Sequence, residues 1–502
     1  MDLLLFIFFL ILFYYSVKYY KADNQNSLSL SGPTPVPILG NIHQVGKDAH
    51  LTIPIISKKY HGIFRMWLGG TYYVVVSDYK LIREMYIENF ENFKNRIATF
   101  KTMTGDDSRG IIGCNGDIWD SNKELIMKSY KKVLNKDMND FILLKSKELF
   151  NFFEKNGIKN EEEEDDDDDG NKSIIINNTR FYFQSLTLTV MFKMIFNENK
   201  SFQLYSDSTE FKLIFKTILN LLNSLNVYNV IYDFLGIFQP ILLKFTKILD
   251  KNSFLSKIAT EKFNSRIKEI DFTSDDFKAN DLLDSLIMTI NEDENGLNEK
   301  QIENIKSICI DFLMAGTDTT GSTIEWIILK LVNNPEFQEL IFQELKKLNK
   351  SEITANDKIN TPFLNSFIKE TNRLYPIAPL SLPRKSINEM IIGDNKYYIP
   401  ANTNILMDVK GFSLDENNYK DPNEFKPDRF LNSKVSDTLN FGIGPRNCIG
   451  QTIAMNQIHI FLSNLILNYR MFSIDCLPLP ENLILSVSVR PTEYSLKLIK
   501  RV

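Results

Sequence analysis

The strongest constraint on the fold is an apolar periodicity that begins at Asn298 and runs to Asn333-Asn334-Pro335. Asn298 followed by Gln301 fits a capping box, in which two side chains satisfy each other's backbone N–H groups. Pro335 ends the pattern because proline lacks an N–H and disfavours helix in the residue before it. About 34 residues at 1.5 Å each give a rod of roughly 50 Å, enough to cross a whole domain. Ala315-Gly316-Thr317-Asp318-Thr319-Thr320 sits in its middle. Glycine inside a helix costs about 1 kcal/mol relative to alanine, and threonine is also a poor helix former. An acid and three hydroxyls in an apolar helix mark either a functional site or a kink with a solvent-facing Asp318.

The 502 residues are 43% apolar, ample for a large core in one domain or several. Thirty-seven Phe residues suit an interior that encloses a flat, apolar group, and they suit ordinary packing equally. The formal charge of −5 comes from one block of nine acids, Glu161 to Asp169; without it, 58 basic side chains face 54 acidic ones. Like charges in a run repel and stay solvated, so 157–173 reads as a disordered, acidic low-complexity insert. No surface resembling a nucleic-acid partner site is indicated. Cys114, Cys309, Cys448 and Cys476 are widely spaced, which excludes a disulfide framework and a zinc site. The four histidines also lack metal-ligand spacing.

Leu3 to Phe13 is an unbroken run of Leu, Ile and Phe, followed by the Tyr-rich segment to Tyr20. On an insertion scale, eleven such residues favour the membrane by about 3–6 kcal/mol. Residues 1–20 are therefore expected to form a single-pass membrane anchor, near the short limit for a span. A cleaved signal peptide is the alternative, but no basic residue precedes the apolar run and no small-residue cleavage site follows it. Lys18 and Lys21 flank its C-terminal side and predict a body facing the cytoplasm. Residues 21–47 read as a proline-rich hinge, with Pro33, Pro35 and Pro37 imposing a stiff extended connector. The body, 48–502, reads as mostly helical with a small β region. Met66 to Asp78 looks like a hairpin turning at Gly69-Gly70. Further helices are expected over 78–90, 117–135, 138–156 and 178–196. Residues 205–250 are apolar and Phe-rich, either an access lid or core.

Near the C-terminus lies FGIGPRNCIG, in which Phe441, Gly444, Arg446, Cys448 and Gly450 fit F-x-x-G-x-R-x-C-x-G. A metal-ligating thiolate needs hydrogen-bond donors, and glycines let backbone N–H groups turn toward the sulfur. Arg446 offers a fork for a carboxylate. Phe441 can shield the sulfur, and Gly450 permits the next helix to come close. Glu370 and Arg373 are spaced to share one helix face. FKPDRF follows at Phe425 to Phe430.

In this order and at these separations, the three motifs resemble the cytochrome P-450 superfamily of haem-thiolate monooxygenases. The resemblance covers nearly the whole chain, and the anchor and hinge look like the microsomal type. It implies the P-450 fold, a single large catalytic domain, with haem b (iron protoporphyrin IX) as cofactor. Cys448 would be the axial iron ligand. Asp318 and Thr319 match the acid–alcohol pair that delivers protons toward dioxygen, with Gly316 leaving room for the oxygen. Glu370, Arg373 and Arg429 would form a buried ion-pair network. Haem propionates would be held by Trp119, Lys123, Arg384 and Arg446. Here the chain departs from the family, since the usual W-x-x-x-R ends in Lys123, a point charge in place of a planar fork. Asp428 stands where the family often has Glu.

The implied reaction inserts one oxygen atom from dioxygen into an apolar small molecule, with electrons from an NADPH-dependent diflavin reductase and an endoplasmic-reticulum location. Lys123, Lys128, Lys131 and Lys132 form either a steering patch for that donor or a plain solvated face. Pocket walls are expected from the loop before Trp119, from 205–250, from the long helix around Phe312, and from Ile377 to Leu382. Two rivals stay open: a haem-thiolate isomerase or dehydratase needing no electrons, and a non-catalytic haem sensor. The Asp318-Thr319 pair argues against the first.

Overall fold

The computed structural model describes residues 2–24, 30–97, 109–133, 136–159, 173–199, 212–214, 216–218, 254–270, 278–294, 296–431, 438–485 and 488–501. The acidic block and nearly all of 205–250 lie outside them. The helices of ten or more residues are α1 (Asp2–Asn24), α2 (Ala49–Lys59), α3 (Gly116–Val133), α4 (Lys136–Asn156), α5 (Thr179–Phe196), α6 (Phe254–Glu269), α7 (Leu282–Glu294), α8 (Glu299–Asn333), α9 (Pro335–Lys346), α10 (Pro362–Leu374) and α11 (Gln451–Asn468).

Helix α8 is the predicted rod, and both halves of its capping box form. Gln301 N donates to Asn298 Oδ1 at 3.1 Å and Asn298 N donates to Gln301 Oε1 at 2.8 Å. Its buried faces lie in two apolar clusters, one around Ile305 to Met314 and the other around Ile324 to Leu331. Helix α5 lies tightly along it. A Cβ added at Gly316 would stand 2.5 Å from Met191 Sδ, and one at Gly321 would stand 2.7 Å from Gln184 Cγ. The glycines thus set the α5–α8 spacing. At Gly316 the missing side chain makes room for Met191.

The β region is small, as expected. The main sheet has order β1-β2-β9-β6-β3, formed by β1 (Ile63–Leu68), β2 (Thr71–Val76), β9 (Asn404–Met407), β6 (Arg384–Lys385) and β3 (Asn95–Arg96). Strands β1 and β2 are the predicted hairpin, in register from Ile63 opposite Val76 to Leu68 opposite Thr71. A second sheet joins β10 (Tyr469–Phe472), β13 (Leu496–Lys500), β5 (Ser173–Ile176) and β4 (Ile158–Lys159). Two two-stranded ribbons, β7 (Met390–Ile392) with β8 (Tyr397–Ile399) and β11 (Leu483–Leu485) with β12 (Val489–Pro491), complete it.

Two expectations for the N-terminal region change. Helix α1 forms, but no helix among the described residues is long and apolar enough to cross a membrane. The proline-rich connector is not simply extended. Val36 and Gly40 close a turn by reciprocal N–H···O bonds of 2.9 and 2.8 Å. Arg65 N donates to Ser31 O at 3.0 Å and Asn41 N to Trp67 O at 2.6 Å, which docks the segment on β1.

His459 of α11 is fully buried, and Thr361 Oγ1 lies 2.8 Å from its Nε2. The Thr361 hydroxyl also lies 3.1 Å from Lys358 O, and Nδ1 of His459 has no hydrogen-bond partner among the described residues. Burial lowers the His459 pKa to about 4. A depressed histidine keeps the fold at full stability above pH 6.5 and loses it as pH falls toward 4, because only the unfolded chain takes up the proton there. The loss amounts to about 3 kcal/mol across that window, and His459→Gln should remove this slope. Urea melts of both proteins between pH 7 and pH 4 check it; parallel slopes would refute the assignment.

Candidate active site

One cavity of about 320 Å³ gathers most of the predicted residues. Its wall includes Trp119, Lys123, Gly316, Thr319, Arg384, Phe441, Arg446, Cys448 and Gly450. The expected pocket walls contribute Ile111 and Ile112 before Trp119, Phe312 on α8, and Ala378, Ser381 and Leu382.

The loop that carries Cys448 is shaped by its glycines. Gly444 has φ +76, and a Cβ there would lie 2.1 Å from Tyr86 O, so only glycine fits. Cys448 N donates to Phe441 O at 2.8 Å, closing the loop just before α11. The Cys448 side chain opens onto the cavity. Burial raises its pKa, opposed by the backbone N–H of Gly450, the charge of Lys123 and the N–H of Gln451. These donors and this cation stabilise a thiolate. Gly450 itself is uncrowded, its added Cβ meeting Cys448 Sγ only at 3.9 Å.

Beside the thiol the wall is cationic. Arg446 lies over the Trp119 ring at 4.3 Å and donates through Nη2 to Cys114 O at 2.7 Å. Arg384 lies over the Tyr86 ring at 3.8 Å. Arg96 joins them, donating through Nη1 to Leu382 O at 2.6 Å. Desolvation, then the charge of Arg446 and of Arg384, pushes Arg96 well below the usual arginine range. Burial lowers Arg384 to about 10 and Arg446 to about 9, and it lowers Lys123 as well. Nε of Arg96 and both Nε and Nη1 of Arg384 and Arg446 have no hydrogen-bond partner among the described residues. Clustered guanidiniums with bare donors need an anion, and the two propionates of a haem supply that charge. The donor set therefore fits the cofactor. Sequence reading missed Arg96, because an arginine in a two-residue strand carries no local signal.

The acid–alcohol pair is split between two environments. The Thr319 hydroxyl donates to Ala315 O at 2.7 Å on the cavity wall. Asp318 is 2% exposed and is not part of that wall. Its carboxylate accepts from Gln184 Nε2 at 2.9 Å and from Ser488 Oγ. Burial raises its pKa, opposed by Ser488 and by the charges of Arg490 and Arg180. The solvent-facing alternative for Asp318 is excluded.

Away from the cavity, the predicted ion-pair network is complete. Arg373 donates to both oxygens of Glu370 at 2.7 and 2.9 Å, Arg429 Nε donates at 3.0 Å, and Lys426 N at 2.7 Å. Of the lysine stripe, Lys128 pairs with Glu124 at 3.0 Å, as a solvated face does.

The profile of the family Cytochrome P-450 matches residues 30–498. The chain belongs to the cytochrome P-450 family. Among its relatives, "Probable cytochrome P-450 508C1" of Dictyostelium discoideum is 34% identical over 99% of both chains. "Probable cytochrome P-450 508A4" of the same organism is 30% identical over all of both. In fold, the chain is similar to a zebra fish cytochrome P-450 solved with progesterone, at TM-score 0.73 and 17% identity, covering 91% of this chain and 100% of that one. As a cytochrome P-450 the protein binds haem and is an oxidoreductase of the monooxygenase class.

Proposed function

We propose that this cytochrome P-450 inserts one oxygen atom from dioxygen into an apolar small molecule, with electrons from an NADPH-dependent diflavin reductase. The observation that carries the reading is the shared cavity: the Cys448 thiol and the Thr319 hydroxyl open into one space walled by Ile111, Ile112, Phe312 and Leu382. When bound there, haem supplies the redox chemistry that activates dioxygen. Cys448 would ligate its iron, and Arg96, Lys123, Arg384 and Arg446 would hold its propionates. The Thr319 hydroxyl stands on the cavity wall, where it can hold or pass a proton, while the neighbouring Asp318 carboxylate is held behind the wall by Gln184 and Ser488. The apolar walls orient the substrate and exclude water.

Reductase-supported NADPH oxidation should rise when a binding substrate is added to the haem-loaded protein, with oxygenated product formed. Product without electrons would instead establish an isomerase or dehydratase, and tight binding with no product a sensor. Attachment to a membrane through α1 is supported by the exposed apolar side chains Leu5 to Ile11 and Phe13. Lys18 and Lys21 support a cytoplasmic body on the endoplasmic reticulum. Glycans at Asn171, Asn177 or Asn199 in native protein would reverse that orientation.

A further inference from the structure

Ile111 and Ile112 line the cavity from a loop that is neither helix nor strand, so its backbone groups must find partners outside any regular ladder. They find them on α3 and α8. Gly110 is gripped on both sides: its N–H donates to Asn304 Oδ1 at 3.0 Å, and its carbonyl accepts from Asn122 Nδ2 at 2.7 Å. The two asparagines are also joined to each other. Asn304 Nδ2 donates to Asn122 Oδ1 at 2.7 Å, and Asn122 Nδ2 donates to Asn304 Oδ1 at 3.1 Å. A carboxamide carries both the donor and the acceptor that such a closed ring of bonds requires. Gly110 has φ +71, and a Cβ there would come within 2.4 Å of Asp311 Oδ2, so only glycine enters the grip.

The clasp sits where three elements meet. Asn304 is on α8, and about two turns further on Asp311 accepts the N–H groups of Ile111 and Ile112 at 2.7 and 3.0 Å. Asn122 is 4% exposed and lies on α3 between Trp119 and Lys123, which stand on the same cavity wall. The loop therefore cannot lift away from the cavity without breaking bonds to two helices. Neither asparagine lines the cavity itself. Whatever they do to a bound molecule reaches it through Ile111 and Ile112.

We propose that the Asn122–Asn304 clasp is a selectivity-setting positioning element: it fixes the distance of Ile111 and Ile112 from α8 and so limits the girth of substrate that the pocket admits. The role rests on the reading of the cavity as an apolar substrate pocket and deepens it. Cutting the clasp frees the loop to move outward, which favours bulky molecules over slender ones.

Haem-loaded full-length protein is titrated with 1-methylimidazole, 1-dodecylimidazole and 1-(1-adamantyl)imidazole, and binding is read from the Soret shift. The three present the same ring nitrogen to the iron and differ in the tail, which is minimal, slender or bulky. Amide hydrogen exchange across 109–113 is measured alongside. The wild type should bind the dodecyl ligand about tenfold or more tighter than the methyl one. Asn304→Ala should leave 1-methylimidazole affinity within about twofold and speed exchange at Ile111 and Ile112 about tenfold. It should also shift the adamantyl-to-dodecyl affinity ratio about fivefold to tenfold toward adamantyl, as the loss of one or two hydrogen bonds allows. Asn122→Asp keeps the acceptor for Asn304 Nδ2 but loses the donor to Gly110 O, and it should shift the ratio the same way by less. Faster loop exchange with an unchanged ratio would leave the clasp a purely structural tie and overturn the proposal, as would unchanged exchange. In the wild type the dodecyl ligand should slow exchange at Ile111 and Ile112 while 1-methylimidazole does not; absence of that slowing also overturns it, and this arm decides even if both variants fail to fold. Equal binding of all three ligands by the wild type would overturn the apolar-pocket reading itself, and the proposal with it.

Discussion

Cys448→Ala should abolish the thiolate-type Soret band of the reduced carbon monoxide complex and eliminate monooxygenase activity. The surroundings of this thiol explain why nothing replaces it. Burial opposes ionisation, while two backbone N–H groups and Lys123 favour it, and a bound iron deprotonates a coordinating thiol outright. The other cysteines are unfit. Cys114 is buried, donates to Gly110 O, and is pushed up to about 11 mainly by burial. Cys309 is buried and also pushed up. Cys476 is not on the cavity wall. Retention of the thiolate band in Cys448→Ala would overturn the assignment of the site.

Glu370→Ala should destabilise the fold by about 3–5 kcal/mol, the usual cost of breaking a buried ion pair from one side. Glu370 and Arg373 have fully buried side chains. Removing the carboxylate strands the fork of Arg373, the Nε of Arg429 and the N–H of Lys426 at once. Against a total stability of about 5–15 kcal/mol, that is a large share, so low yield and poor haem retention are expected in place of a slow enzyme. Denaturant melts with haem-content assays check this, with Glu370→Gln expected to fall between Ala and wild type. A Glu370→Ala protein with wild-type midpoint and haem content would refute the network's structural role.

What was legible in the sequence was local or covalently close. The capping box at Asn298, the Gly69-Gly70 hairpin and the spacing of Phe441 to Gly450 each depend on neighbours a few residues apart. Glu370 and Arg373 share a helix face by spacing, and the third partner, Arg429, entered only through the family resemblance. What escaped depends on distant segments meeting. The seat of Ile111 and Ile112 on Asp311 joins positions about 200 residues apart. Arg96 reaches the cavity only because β3 pairs with β6 at Arg384. The burial of Asp318 depends on Gln184 and Ser488, from two other segments. Gly316 was legible by its motif as a cavity residue, and it lies on the wall, but the closeness of Met191 of α5 to it was not.

The docking of residues 31–41 on β1 determines how far the catalytic body can stray from α1. Had the whole proline-rich segment swung free, the body would have hung on a long tether. With the chain fastened at Ser31 by its bond to Arg65, the covalent span from Asn24 to Leu30 sets the limit. Six residues reach at most about 20 Å when fully drawn out. The end of α1 and the start of the body can therefore never be farther apart than well under half the length of the central helix.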